Sequence, residues 1–232
     1  MDVHRRRRRI AKLRERIAGP QDAYERCRAY PCTNRTTADR GEGLNRLYCR
    51  KHIEFYRRHG SYYKKSYGAG QLRPYRQKAM QWLQEREADP AIQRAVAGVR
   101  RLYASAGVPV EAFRLAGMST RDRAKVTWAQ LRKRQVDPLE VLAVWLAVDM
   151  RLQDDPEPDR HKEYRHVQLA KLIHRLAGGT HKRWERHRGD GSVEVTELHK
   201  HPVSRGQILR VVGCQLNDVC AGCLVLPVDL QP

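Results

Sequence analysis

The sequence predicts a mainly α-helical protein, a helical domain with one β-hairpin, preceded by a small Cys/His module and a basic N-terminal arm. Apolar residues recur at helical spacing through most of the chain after residue 73. Two strand patterns flank a glycine-rich turn near residues 181–200. Three cysteines and one histidine cluster between residues 27 and 52. We therefore expect three parts: the arm over 1–20, the module with a basic connection over 21–72, and the helical domain over 73–232.

The chain carries a large positive charge that is concentrated near its N-terminus. Its 232 residues include 46 Lys and Arg against 26 Asp and Glu, a formal net charge of +20. Residues 1–78 hold 22 of the basic residues but only 7 of the acidic ones. A charge this large and this uneven favours a polyanionic partner that meets the N-terminal third of the chain.

The arm opens with five consecutive arginines: Arg5, Arg6, Arg7, Arg8 and Arg9. Because adjacent like charges repel one another, we expect this run to become ordered only on a phosphate backbone. Ile10, Leu13 and Ile17 then recur at helical spacing, which predicts an amphipathic basic helix. A tail that only adds solubility is the alternative.

Four potential metal ligands lie at compact spacing: Cys27, Cys32, Cys49 and His52. Cys27 and Cys32 bracket a turn that contains Pro31, and His52 follows Cys49 by three residues, as in the first turn of a helix. Three thiolates and one imidazole suit tetrahedral Zn²⁺, and each pair needs only a short turn to converge. We therefore predict a structural zinc site rather than incidental cysteines.

Basic side chains and tyrosines lie around and after the last of these ligands. They are Arg50, Lys51, Arg57, Arg58, Tyr62, Tyr63, Lys64 and Lys65. Lysine and arginine contact phosphates, whereas tyrosine rings stack on unpaired bases. We therefore expect these residues and the arginine run to bind nucleic acid. A solvated basic face is the alternative.

Residues 27–60 resemble the small treble-clef-like zinc modules of phage and mobile-element proteins, which often accompany HNH-type endonucleases. The resemblance rests on these matches: Cys27, Cys32, Gly43, Leu47, Cys49, His52, Arg57, Arg58 and Gly60. It implies metal binding and nucleic-acid contact. It does not extend to nuclease chemistry, because the chain lacks an Asp-His dyad with downstream Asn and His at the spacing of an HNH site.

The helical domain is predicted from amphipathic stretches and their end signals. We expect helices over about 74–88, 91–106, 110–116, from Thr120, from Pro138, and over 162–177 and 204–224. Gly68-Ala69-Gly70 is interpreted as a flexible joint. The clearest helix start is Asp137-Pro138, where Asp137 caps the helix and Pro138 fits its first turn. The helix that follows is apolar nearly all round, so it should be the buried centre of the domain.

Two stretches of this domain allow a DNA-binding interpretation beside a structural one. The helices around Gly117 could form a helix-turn-helix. In that motif the position of Phe113 should hold a small residue and the position of Arg123 an apolar one, so two packed helices are favoured. The hairpin could be a wing with Arg186, His187 and Arg188 near its tip, although a hairpin that covers the core is favoured.

Two further stretches allow a metal-binding interpretation. The acidic segment 153–159 could bind Mg²⁺, but its prolines favour a solvated linker. Cys214, Cys220 and Cys223 could form a second zinc site. However, Cys220 and Cys223 fall on an apolar helix face, where reduced cysteine packs as a small hydrophobe, so a packing role is favoured.

These observations predict a zinc-stabilised, nucleic-acid-binding protein of a phage or mobile element. DNA is the favoured nucleic acid, and a regulatory role is a candidate. Its helical domain is a candidate surface for a protein partner. One alternative is a metal-dependent nuclease or recombination enzyme that uses Glu197 or His199 and docks through the zinc module; another is an RNA-binding assembly protein. No Walker motif, nucleophile elbow or HExxH occurs, which favours a non-enzymatic role.

No apolar run reaches the ~18–20 residues of a membrane span and no signal-peptide pattern is present, so we expect a cytoplasmic protein.

Overall fold

The computed structural model of the protein describes residues 10, 11, 14, 26–189, 192–202, 204–224 and 230. The described residues from 26 to 224 form seven α-helices, one 3₁₀ turn and one antiparallel hairpin, so the predicted mainly helical fold is confirmed. In chain order the elements are α1 (Arg50–His59), α2 (Ala69–Glu85), α3 (Pro90–Ala104), the 3₁₀ turn (Ala112–Arg114), α4 (Thr120–Lys133), α5 (Pro138–Gln153), α6 (Lys162–Ala177), β1 (Thr180–His187), β2 (Val193–Lys200) and α7 (Gln207–Ala221). The arginine run Arg5–Arg9 lies outside the described residues.

The described residues belong to two compact units, one that ends at Tyr56 and one that begins at Arg57. The first unit is mostly loops and the start of α1. The second unit holds the large apolar core, to which Tyr67 and Leu72 contribute. Residues 57–72, which the sequence analysis grouped with the Cys/His module, therefore lie in the helical unit.

Helix α5 lies at the centre of the second unit. Asp137 caps it, because its carboxylate accepts a hydrogen bond of 2.9 Å from the backbone N–H of Leu139. All eight residues from 141 to 148 are buried. Helices α2, α3, α6 and α7 pack around this helix, which confirms the predicted central helix.

Helices α6 and α7 approach each other closely at Gly213. A Cβ atom at this position would lie 2.1 Å from the carbonyl oxygen of His166, so only a residue without a side chain fits. The observed bounds of α6 are those predicted. Helix α7 is shorter than the predicted 204–224, because Gly206 is its N-cap and Gly222 its C-cap.

Helix α2 begins before the point that the sequence analysis predicted, and the interpretation of residues 68–70 as a flexible joint is wrong. Gly68 is the N-cap of the helix, and its N–H donates to the Gln71 side chain at 2.7 Å. Pro74 lies inside the helix, although it cannot donate the usual backbone hydrogen bond.

The predicted helix over 110–116 is only the 3₁₀ turn Ala112–Arg114. A segment this short cannot offset the entropy of helix nucleation, and Gly117 follows it with a positive φ. The helix-turn-helix interpretation therefore lacks its first helix.

The predicted hairpin is confirmed, with His181 paired to His199 and His187 to Val193. Most of its residues are exposed, including Trp184. The expectation that the hairpin covers the core is therefore wrong, because its sequence presents polar side chains on both faces.

Among the described residues, none of the helices combines the length and the apolar character that crossing a bilayer requires.

The contact at Gly213 predicts opposite effects for two glycine-to-alanine changes in helices. Gly213→Ala should lower the free energy of unfolding by about 1–3 kcal/mol, because the new methyl group pushes α7 away from α6. Gly70→Ala should raise it by up to about 1 kcal/mol, because no atom lies within 4 Å of the new methyl group and alanine favours the helix. Urea titration at equilibrium measures both values. Equal effects of the two changes would contradict the close approach.

Candidate metal centre and cationic cavity

The first unit brings together the four side chains predicted as metal ligands. The Cys27 N–H donates to the Asn34 carbonyl at 2.9 Å, and the Cys32 N–H donates to the Ala29 carbonyl at 2.7 Å. These bonds fold residues 27–34 into a tight turn that presents both thiols to one side. Cys49 immediately precedes α1, and His52 lies in its first turn.

The distances between these side chains match a tetrahedral metal centre. The Nδ1 atom of His52 is 3.3 Å from the sulfur of Cys27 and 3.3 Å from that of Cys49. The sulfurs of Cys32 and Cys49 are 3.9 Å apart. Bond lengths of about 2.3 Å to sulfur and about 2.0 Å to nitrogen place tetrahedral ligands about 3.8 Å apart for two sulfurs and about 3.5 Å for sulfur and nitrogen. The four residues can therefore hold a metal ion.

The two buried thiols of this cluster differ in acidity. Burial raises the pKa of Cys27. Burial acts in the same direction on Cys49, but hydrogen bonds from the His52 backbone and from neighbouring side chains outweigh it and lower the pKa to about 7. The Asn34 amide also donates to the Cys49 sulfur at 3.9 Å. The surroundings of Cys49 thus favour the thiolate form that binds metals.

Little apolar burial supports this turn. The buried apolar residues described in the first unit are Cys27, Ala29 and Cys49. Two of these three are metal ligands, so the described part of the unit has almost no core that is independent of them. A bound ion would supply the cross-links that a hydrophobic core supplies elsewhere.

The acidic segment 153–159 neutralises part of the predicted nucleic-acid-binding segment. The Lys64 ammonium lies 2.6 Å from Asp155, and the Tyr67 hydroxyl donates to the same carboxylate at 2.6 Å. Burial alone would raise the pKa of Asp155, but the hydrogen bonds from Lys64 and Tyr67 outweigh it and lower the pKa. Asp155 and Asp159 are both buried, so the prediction of a solvated linker is wrong for these two acids, whereas Asp154 and Glu157 are exposed as predicted. The prolines keep this segment non-helical, but two of its four acids are nevertheless buried.

The other predicted nucleic-acid-binding residues lie mostly at the surface. Tyr62 is half-buried, and the remainder are exposed: Arg50, Lys51, Arg57, Arg58, Tyr63 and Lys65. The Arg50 side chain lies 3.4 Å from Glu54. The backbone carbonyl of Arg57 accepts hydrogen bonds from the N–H of Gly206 and from the side chain of Arg210.

Arg58 lines a cationic cavity in the second unit. The cavity has a volume of about 520 Å³, and its other cationic residues are Lys171, Arg175 and Arg205. Of the residues that the structure describes, none that lines it is acidic. Among the described residues, none of these four cations forms an ion pair with a carboxylate.

The surroundings of Lys171 show an excess of positive charge in the cavity. Its ammonium donates to the Ser66 hydroxyl at 2.7 Å and lies 3.5 Å from His59 Nδ1. Burial, together with the positive charges of Arg175, Arg58 and Arg210, lowers the pKa of Lys171 to about 8. Burial and the cations around His59 lower the pKa of that histidine to about 4, so it stays a neutral acceptor. The cavity can therefore bind an anion, because an anion would offset this positive potential.

Lys171, Arg175 and Arg205 were not among the binding residues predicted from the sequence. The sequence does contain one indication of these residues. Lys171 and Arg175 are four residues apart on a helix, and like charges at this spacing destabilise the helix unless an anion lies nearby. The position of His181 beside Glu197 and His199 was not predicted either, because it depends on the strand register. Cys220 is buried in the core and burial raises its pKa, in agreement with the favoured packing role.

Comparison with known proteins finds no matching family model, no matching curated protein and no matching solved structure. The resemblance of residues 27–60 to phage zinc modules therefore rests on the motif and on the metal-binding geometry of its four ligands.

His174, which lines the cavity, predicts a loss of stability in acid. Burial lowers its pKa to about 4, whereas histidine in an unfolded chain titrates near about 6.5. Between these values the unfolded chain binds a proton that the folded chain does not, so the free energy of unfolding falls as the pH drops. At pH 5 this residue should account for a loss of about 2 kcal/mol relative to neutral pH.

Urea titration of wild type and His174→Gln at pH 7.5 and pH 5 measures this contribution. The difference between the two pH values should shrink by about 2 kcal/mol in His174→Gln. The exposed His187→Gln serves as a control and should retain the wild-type difference. An unchanged difference in His174→Gln would contradict the assignment.

Proposed function

We propose that the protein binds nucleic acid, with DNA as the first candidate, and that the cationic cavity is part of the binding surface. The observation that carries the proposal is the set of four cations, Arg58, Lys171, Arg175 and Arg205, around a cavity whose described lining residues include no acid. The chain's net charge of +20 supports it, because a polyanion is the partner that such a charge attracts over a distance.

The cavity has the chemistry of a phosphate site. Three of its cations are arginines, whose planar guanidinium groups can bond two phosphate oxygens at once. Lys171 adds a positive charge that is half-buried and that, within the described part of the chain, has no carboxylate partner. Holding these cations together without an anion is unfavourable, and the phosphates of a nucleic-acid backbone would relieve that repulsion.

We propose Zn²⁺ as the ion of the first unit. Three sulfurs and one imidazole form a ligand set that zinc prefers, and four protein ligands leave no coordination position for a substrate. The role of the ion is then structural. Origin in a phage or mobile element is proposed from the resemblance of residues 27–60 alone.

The cavity predicts which cations affect the affinity for nucleic acid. Arg58→Ala combined with Arg175→Ala should weaken binding to a labelled DNA duplex. It should also reduce the slope of log affinity against log salt by about 0.9 for each phosphate that the variant no longer neutralises. Fluorescence anisotropy over a salt series measures both quantities.

The control variant carries Arg94→Ala and Arg100→Ala, which remove the same charge from exposed positions on α3. It should change the slope much less. Equal reductions of affinity in the two double variants would mean that only net charge matters. That result would contradict the proposal that the cavity is part of the binding surface. Competition with single-stranded DNA and structured RNA then identifies the preferred nucleic acid.

The metal centre predicts that zinc retention depends on one cysteine and not on another. After dialysis, mass spectrometry should find one tightly held Zn²⁺ in wild type and none in Cys49→Ser, which removes one of four ligands. Cys214→Ser is the matched control, because Cys214 lies in α7 outside the cluster. Wild type without zinc, or Cys49→Ser with a full equivalent, would contradict the assignment.

A further inference from the structure

A second group of metal-ligating side chains lies on the hairpin, far along the chain from the cysteine cluster. His181 on β1 pairs directly with His199 on β2. Glu197 precedes His199 by two residues, and alternate residues of a strand point to the same face. The strand register therefore places two imidazoles and one carboxylate side by side, although His181 and His199 are 18 positions apart along the chain.

The ligand atoms of these three side chains all lie within 4.8 Å of one another. The two imidazole rings stack with centroids 4.0 Å apart and planes inclined by 12°. The Nε2 atoms of His199 and His181 lie 3.3 Å and 3.7 Å from the same oxygen of Glu197. Two ligand atoms on a tetrahedral ion with bonds of about 2.0–2.1 Å are about 3.4 Å apart. Both distances are close to this separation.

We propose that His181, Glu197 and His199 bind a divalent ion of the late first-row transition series, with Zn²⁺ as the reference ion. Two imidazoles and one carboxylate suit such ions, whereas Mg²⁺ and Ca²⁺ prefer ligand sets made of oxygens. Three protein ligands leave at least one coordination position for water. The three side chains are 53%, 46% and 61% exposed, so solvent reaches the ion.

The hairpin also has a structural use for such an ion. Only Thr180, Lys182 and Leu198 among its 16 strand residues are even half-buried. A two-stranded hairpin is marginal in water without apolar packing. An ion held by His181 on one strand and by Glu197 and His199 on the other would join the two strands beside their base.

Calorimetric titration of the full-length, zinc-loaded and dialysed protein with Zn²⁺ tests the site. Wild type should bind one equivalent more than His199→Ala, and Glu197→Gln should weaken this binding by at least about tenfold. His187→Ala is the matched control, because His187 lies on the same face near the hairpin tip and should leave the extra equivalent intact. Titration with Mg²⁺ should give no corresponding binding.

The comparison between wild type and His199→Ala counts only the hairpin ion, so it holds whether or not the cysteine cluster contains zinc or the protein binds nucleic acid. All substituted residues are exposed, and circular dichroism verifies that each variant is folded. Equal zinc uptake by wild type and the double variant with His181→Ala and His199→Ala would overturn the site. So would equally strong binding of Mg²⁺.

Discussion

The burial of helix α5 on all sides is the constraint that arranges the helical unit. Residues 141–148 have no face left for solvent, so each neighbouring helix must turn an apolar stripe toward them. Helix α6 does so with Leu169, Leu172 and Ile173, all buried. Its charged residues Lys171 and Arg175 are thereby left outside the core. The cationic cavity is thus a consequence of how the centre of the unit is covered.

Two lysines show how this fold treats positive charge in different ways. Lys64 pairs with the buried carboxylate of Asp155, so its charge is balanced inside the protein. Lys171 has a neutral hydroxyl for a partner, and cations surround it. A protein that needed only solubility could place such charges apart on its exposed surface. Their collection in a concave region whose described lining contains no acid has a physical reason if an anion binds there.

The features that the sequence predicted well are those that neighbouring residues determine. Asp137-Pro138 starts a helix through its own carboxylate and ring, and the spacing of Cys27, Cys32, Cys49 and His52 is enough to bring four ligands together. The missed features depend on contacts between distant segments. Nothing near Asp155 in the sequence shows that Lys64 and Tyr67 neutralise it.

The same distinction applies to the cavity and to the hairpin. Arg58 and Arg175 are 117 residues apart in the sequence and become neighbours only through the tertiary fold. His181 lies beside Glu197 and His199 because of the strand register, and shifting that register by one residue would turn one strand's side chains to the other face. The close contact at Gly213 likewise cannot be predicted from the neighbouring sequence. A glycine within a helix indicates only a lower helix propensity, not a site of close packing.

The two ligand groups occupy the parts of the described chain with the least apolar burial. The turn around Cys27 has a cluster of three buried apolar residues, and the hairpin has nearly none. In both places a polar segment has to stay folded without a hydrophobic core. Metal–ligand bonds contribute most to folding in such segments. The ligand sets differ accordingly: four ligands with two buried thiols give a closed centre, whereas three exposed ligands give an open one. A closed centre can only stabilise the chain, but an open one beside the exposed Arg183, which pairs directly with Glu197, can also accept an oxygen atom from outside the protein.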